Sequence, residues 1–164
     1  MIRDTSWRVR PCEIVDAAAL CAIRLEALRD TPQAYGSTYD QAVTWSHHQW
    51  VRAAAERNYY LAERDGVVVG MVSGGPNESH PGTHWMYGMY VSPDVRGSGI
   101  AQLLVDEVSE WARGEGASAL FLHVTASLTR ARSFYEKAGF HLTGGATTMG
   151  RDPAVGLVEM AKYL

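Results

Sequence analysis

Residues 91–101 of this 164-residue chain, Val91-Ser92-Pro93-Asp94-Val95-Arg96-Gly97-Ser98-Gly99-Ile100-Ala101, carry the types and spacing best suited to holding an anion. An apolar run from Trp85 to Val91 reads as a strand, and Pro93 follows it. A glycine-bearing turn then opens an amphipathic helix. Unpaired N–H groups at a helix start, together with the helix dipole, favour negative charge there. Glycine lets the backbone approach phosphate oxygens that a Cβ would hold off. Arg96 adds a permanent charge and planar donors. Two other phosphate-binding patterns fail: no Gly-x-x-x-x-Gly-Lys-Ser/Thr run exists, and Gln102 stands where a dinucleotide fingerprint needs its last glycine. An ordinary glycine-rich turn is the plain alternative.

Other residues could move protons. Tyr135 is a phenol with an unperturbed pKa of about 10, so it stays protonated at neutral pH. It is equally a core tyrosine at helical spacing. His84, His80, His123, Glu26 and Glu78 could accept a proton, and histidine has the matching pKa; His84 leads this group. His80 and His84 are four apart, but Pro81-Gly82 between them breaks any helix, so no metal site is expected. No Gly-x-Ser-x-Gly elbow occurs, and Cys12 and Cys21 lie far from residues 91–101. A covalent enzyme intermediate is therefore not expected, and Cys21 reads as a buried free thiol.

These groups need elements to position them. Trp7–Arg10 alternates as a strand, and Asp16 is a plausible N-cap for a helix through about Leu28. A second helix begins near Thr44 or Ser46 and ends near Arg57, with Trp50, Val51 and Ala54 inward. Asp65-Gly66 joins two strand-like runs, 59–63 and 67–72, as a hairpin turn. Gly74 to Gly82 reads as a loop. The helix after the glycine turn places Ile100, Leu103, Leu104, Val108 and Trp111 on one face and ends at Gly114 and Gly116. Leu120–Val124 reads as a buried strand. A further helix carries Ala131, Phe134, Tyr135 and Ala138, with Gly139 as its C′ residue. Two strands follow, near 140–148 and 155–164. The order β-α-α-β-β-β-α-β-α-β-β predicts a mixed sheet with one parallel crossover, from Trp85 to Val124, of right-handed sense.

Arg96-Gly97-Ser98-Gly99-Ile100-Ala101 matches Arg/Gln-x-x-Gly-x-Gly/Ala, and Phe134-Tyr135-Glu136-Lys137-Ala138-Gly139-Phe140 matches a second signature downstream of it. Ala131 supplies the small residue four positions before the tyrosine. In this order the two motifs resemble those of the GNAT (GCN5-related N-acetyltransferase) family, and the likeness spans essentially the whole chain. The resemblance implies an α/β (α+β) acyl-CoA N-acyltransferase fold: a six- to seven-stranded mixed sheet flanked by helices and splayed between strands four and five. Acetyl-CoA would lie in that wedge as cosubstrate. Met89, Tyr90 and Val91 would lend backbone groups to it, with the N–H near Met89 facing the thioester oxygen. The amides of Arg96 to Ala101 would hold the pyrophosphate. Tyr135 would protonate the departing thiolate.

The resemblance also exposes departures. Where many members carry Asn, this chain has Leu128, so the resemblance implies that a polar contact to the pantetheine arm is either lost or moved to Ser127 or Ser133. Where some members carry a strand-borne glutamate base, this chain has Trp85, which leaves the base unassigned. By the same likeness, Glu26, Tyr35, Trp85 and Tyr87 would line the acceptor site.

The length suits one domain, residues 1–164, and 46% apolar with 20% charged residues is ordinary for a globular protein. A net charge of -3 with dispersed arginines gives no nucleic-acid footprint. The polar start at residues 1–5 lacks an apolar signal core, and no run is long enough for a membrane span, so a cytoplasmic protein is expected. The expected function is acetyl transfer to a primary amine of a small molecule, amino acid or peptide. A non-catalytic acyl-CoA-binding or sensing module is the rival. Members of the family often pair, which makes a homodimer an expectation.

Overall fold

The computed structural model describes residues 7–164; the polar start read from residues 1–5 lies outside them. The order is β1 (Trp7–Pro11), α1 (Ala17–Asp30), α2 (Tyr39–Ala42), α3 (His47–Glu56), β2 (Asn58–Arg64), β3 (Val67–Gly75), β4 (His84–Val91), α4 (Ile100–Gly114), β5 (Ala119–Thr125), α5 (Thr129–Lys137), β6 (His141–Met149) and β7 (Asp152–Tyr163). Short 3₁₀ turns at Ile14–Asp16, Pro32–Ala34 and Pro93–Val95 join them. The single turn α2 was not foreseen. Thr38 and Gln41 make it, each side chain bonding the other's backbone N–H.

The strands form one sheet in the order β1-β2-β3-β4-β5-β7-β6. Every neighbouring pair is antiparallel except β4 and β5. The β2–β3 turn is as expected, with Asp65 at φ 51° and Gly66 at φ 81°. The sheet separates two cores. α4 covers one face with Ile100, Leu104, Val105, Val108 and Ala112 packed on Val72, Met86, Leu120, Leu122 and Met160. On the other face α1 and α3 bury Leu20, Ile23, Ala27, Trp50 and Ala54 against Leu61, Met71 and Tyr90.

Three details correct the sequence reading. Leu103 is 45% exposed, because the inward rows of α4 run through residues 100, 104, 108 and 112 with Val105 beside them. Gly74 and Gly75 belong to β3 rather than to the following loop. The Trp111 ring packs over that strand, where a Cβ at Gly74 would stand 2.5 Å from it. Asp16 does precede α1, but its carboxylate does not cap that helix. It accepts from the Glu13 N–H and from Arg10 instead.

Candidate functional site

β4 and β5 pair only at His84–Leu120 and Trp85–Phe121, then diverge. Seven residues of β5 meanwhile stay paired with β7, so β5 leaves β4 as one body with β7. A gap opens along the second half of β4. Within it the β3–β4 register shifts between Met71–Tyr90 and Ser73–Tyr87, which sets Gly88 and Met89 together against Val72. Gly88 sits at φ 63°, the left-handed conformation of a bulge glycine.

Beyond the bulge, the Ser92 N–H donates to the Val69 carbonyl at 2.8 Å. Antiparallel alternation then makes Met71–Tyr90 a hydrogen-bonded pair and Gly70–Val91 a non-bonded one. Tyr90 therefore gives its peptide groups to β3, and its side chain is buried against α1. This corrects its expected part in cofactor binding. Val91 turns its peptide groups toward the gap. Its carbonyl accepts from Arg96 Nε at 2.9 Å, and its N–H remains open to a ligand. The Met89 carbonyl also faces away from β3, toward the Tyr35 hydroxyl.

The loop before α4 has the predicted form. Gly97 and Gly99 have φ of 80° and 92°, and Gly99 is the N-cap. A Cβ on either would meet nothing within 4 Å, so the cradle is open. Among the described residues, the N–H groups of Gly97, Gly99, Ala101 and Gln102 have no protein acceptor, while Ile100 N–H has only a 3.4 Å contact to Ser98 Oγ. Together they form an array of open donors at the start of a 15-residue helix, where the helix dipole favours negative charge. Arg96 departs from expectation. Its guanidinium bonds Asp30 at 2.6 Å as well as Val91, so it ties the loop to α1 and β4 rather than offering a free charge.

Tyr135 is held by the end of its helix. Phe140 N–H donates to the Tyr135 carbonyl at 3.0 Å and Gly139 N–H to Glu136 at 3.1 Å, with Gly139 at φ 102°. This pair of bonds is the Schellman arrangement, and its accompanying apolar contact is Tyr135 against Phe140, ring centroids 5.7 Å apart. The second signature thus has a mechanical reason: Tyr, Gly and Phe fix one another. Burial holds the Tyr135 phenol well above its ordinary pKa, and nearby Tyr35 adds to the shift.

Sequence reasoning missed the connection between 32 and 35. The Tyr35 hydroxyl donates to the Met89 carbonyl at 2.9 Å. Thr125 Oγ1, at the end of β5, donates to the Gln33 carbonyl at 2.9 Å. Arg151, between β6 and β7, donates to the carbonyls of Pro32 (2.9 Å) and Tyr35 (3.0 Å). One short strap thereby bridges the strands on both sides of the gap. Burial pushes the Tyr35 phenol up to about 12. As its ring is buried and its hydroxyl engaged, Tyr35 acts as a clamp on β4, not as the acceptor contact expected.

The other expected acceptor and base residues divide. Trp85 is 1% exposed, packed among Phe121, His123 and His80, and its indole N–H bonds Thr83, so it walls the site without facing it. Tyr87 is 40% exposed and stays available, its hydroxyl anchored on the Pro76 carbonyl. Glu26 accepts from Ser92 Oγ at 2.5 Å, tying α1 to the turn after β4. His84 stands at the start of β4, edge-on to Trp111 of α4. Five residues separate it from Met89, about 15 Å of strand, so it is too far for the base. Ser127 and Ser133 are exposed, on the β5–α5 turn and on α5.

His123 fits the base position better. It lies two residues past the last β4–β5 pair, so it borders the gap, and its ring centroid is 4.7 Å from that of Trp85. Glu159 on β7 is directly opposite in the ladder, and Thr143 Oγ1 holds that carboxylate at 2.7 Å. Burial lowers the His123 pKa from 6.5, partly opposed by Glu159. Both cysteines are free thiols, and burial pushes Cys12 up to about 11, which leaves it a poor nucleophile. Among the described residues no cluster of three or more His, Cys, Asp or Glu could hold a metal, and no helix is long and apolar enough to cross a membrane.

Comparison with known proteins agrees with this geometry. Residues 22–140 match the model of the Acetyltransferase (GNAT) family. The probable N-acetyltransferase family 8 member 5 of Mus musculus is 38% identical over 93 residues, 55% of this chain and 41% of that protein. The chain thus spans about two fifths of that relative's length. The L-methionine sulfoximine/L-methionine sulfone acetyltransferase of Pseudomonas paraeruginosa is 25% identical over 153 residues, 89% of this chain and 87% of the relative. Among solved structures, a putative acetyltransferase from Salmonella typhimurium, with its cofactor acetyl-CoA, superposes with a TM-score of 0.75 at 20% identity, covering 98% of this chain and 95% of that one. With the splayed sheet, the glycine cradle and a family match over most of its length, the chain belongs to the GNAT acetyltransferase family.

Proposed function

We propose that this chain transfers the acetyl group of acetyl-CoA to a primary amine by direct attack. The observation that carries this reading is the gap between β4 and β5, which opens beside a glycine cradle with unpaired amides. Those features fit the two ends of the cosubstrate: a diphosphate on the amides of 97–102, and an extended arm along the open N–H of Val91. The Salmonella neighbour, solved with acetyl-CoA, supports the same use of the fold.

Bound acetyl-CoA supplies an activated thioester, whose carbonyl carbon takes the amine nitrogen and whose sulfur leaves as thiolate. The chain does the rest. His123, backed by Glu159, takes the ammonium proton and frees the nitrogen lone pair. The Met89 N–H stabilises charge on the thioester oxygen, and the Tyr35 bond to the Met89 carbonyl keeps that strand segment in place. Tyr135 gives its phenolic proton to the sulfur as the C–S bond breaks, and the second proton shed by the acylated nitrogen returns through solvent to restore the phenol; burial keeps Tyr135 protonated at neutral pH. The strap and strand walls hold amine and thioester together.

The test is thiol release from acetyl-CoA with a panel of primary amines, measured on the wild type and on Tyr135→Phe. Amine-dependent release that falls in the variant supports the reading. Binding of acetyl-CoA without release for any amine favours a sensing module instead.

A further inference from the structure

We propose that the guanidinium of Arg24 binds a carboxylate of the amine acceptor, which makes the acceptor class free amino acids. The proposal rests on the transferase reading and names the substrate class of the same site.

Arg24 lies on α1, half-buried, with its guanidinium carbon 5.0 Å from the centre of the Tyr35 ring. That is the ring whose hydroxyl clamps Met89. Arg24 Nη1 also stands 3.6 Å from the point a Cβ of Gly88 would occupy. The cation is therefore at the bulge itself, next to the amide proposed to meet the thioester oxygen.

Its charge is poorly matched. Arg10 pairs with Asp16 and Glu63, Arg96 with Asp30, Arg52 with Glu56, and Arg113 with Glu110. Arg24 bonds only a neutral hydroxyl, Ser37 Oγ, at 2.7 Å, and among the described residues no carboxylate lies within salt-bridge distance of it. A half-buried cation without a counter-charge is costly, and a planar guanidinium matches a carboxylate through two parallel bonds. Nη1 has no protein acceptor among the described residues, which leaves an edge of the fork open.

The opposite wall of the gap has the opposite sign. Glu159 stands across the ladder from His123 on the β5–β7 side. A site with a cation at α1 and an acid-backed imidazole at β5 orders the charges of an amino acid: carboxylate toward Arg24, ammonium toward His123. A peptide N-terminus or a simple amine has no group for the first of these.

The experiment compares kcat/KM for each standard L-amino acid and its primary carboxamide, on the wild type, Arg24→Gln and Arg24→Lys. The expected result is a wild-type preference of about tenfold or more for the acid form, an ion pair's worth. In Arg24→Gln that preference collapses toward one, mainly through the KM of the acid, with the KM for acetyl-CoA unchanged. Arg24→Lys recovers part of it. A wild type that prefers carboxamides, or a Gln variant that slows both forms equally, overturns the proposal. If no amine is acetylated at all, the transferase reading fails separately. Calorimetry of free amino acids on the CoA-loaded protein then decides, because equal binding by wild type and Arg24→Gln, or none by either, also overturns the role of Arg24.

Discussion

The hydroxyl of Tyr35 donates to the carbonyl of Met89 at 2.9 Å across 54 residues of sequence, joining the segment after α1 to the bulge of β4. Because Thr125 and Arg151 hold the same segment from the far side of the gap, the bulge is positioned from both halves of the sheet. Tyr35→Phe keeps the ring and removes the bond. Stability should fall by about 1 kcal/mol in urea unfolding. The kcat should fall by about tenfold to a hundredfold with little change in the KM for acetyl-CoA, since the reacting geometry loosens while the loop of 96–101 is untouched.

With His123 as the proposed base and Tyr135 as the proposed acid, a definite pH profile is expected. The groups around His123 are Trp85, His80 and Glu159. Burial depresses its pKa from 6.5, so it is neutral, and able to accept a proton, at pH 7. The kcat at saturating amine should rise with pH through a midpoint below 6.5 and then level off. Burial raises Tyr135, so no loss from its ionisation is expected below about pH 10. His123→Gln should flatten the rising limb, and Tyr135→Phe should cut kcat by about a hundredfold or more without moving it. A rising limb that survives His123→Gln assigns the base elsewhere.

Gly99 is the left-handed N-cap of α4 and faces open space. Gly99→Ala meets no neighbour, so its folding cost is limited to about 1 kcal/mol of backbone strain. The added methyl and the altered amide should nevertheless weaken acetyl-CoA binding by at least about tenfold, measured by calorimetry. Gly116→Ala, at a similar φ past the other end of the 15-residue α4 and also facing open space, is the control for strain alone.

Asp16 and Arg10 make a stability prediction apart from the site. The hydrogen bond from Arg10, 2.7 Å long, holds the Asp16 carboxyl below the usual carboxylate range, and the Glu13 N–H adds to it. A depressed folded pKa contributes stability above the unfolded value, and that stability is lost as pH falls through the folded one. Asp16→Asn should cost about 2 kcal/mol at pH 7. The difference from wild type should shrink below about pH 4, where the unfolded carboxyl is protonated.

Much of this was readable because it is local. The glycine cradle, the Asp65-Gly66 turn, the Ser46 cap of α3 and the Gly139 stop of α5 each depend on a few consecutive residues. The likeness to a family carried the splay, and the β4–β5 pairing bears it out. The strap was not readable. Its bonds join Tyr35 to Met89, Thr125 to Gln33 and Arg151 to Tyr35, and no periodicity links residues so far apart. For the same reason the bonding of Glu26, Tyr35 and Trp85, placed at the acceptor site by the family likeness, was not readable: the fold engages Glu26 with Ser92 and Tyr35 with Met89 and buries Trp85. His84 and His123 are alike as residues, and only the strand pairing separates them.

The account depends on backbone amides at 97–102 gripping the diphosphate of coenzyme A while the gap beside β4 takes its arm. Titration calorimetry with acetyl-CoA, and with an S-acetyl pantetheine that lacks the diphosphate, tests this directly. Saturable binding of acetyl-CoA, with the truncated compound weaker by at least about a hundredfold, is the predicted result. No measurable heat with acetyl-CoA, or equal affinity for the two compounds, would contradict it.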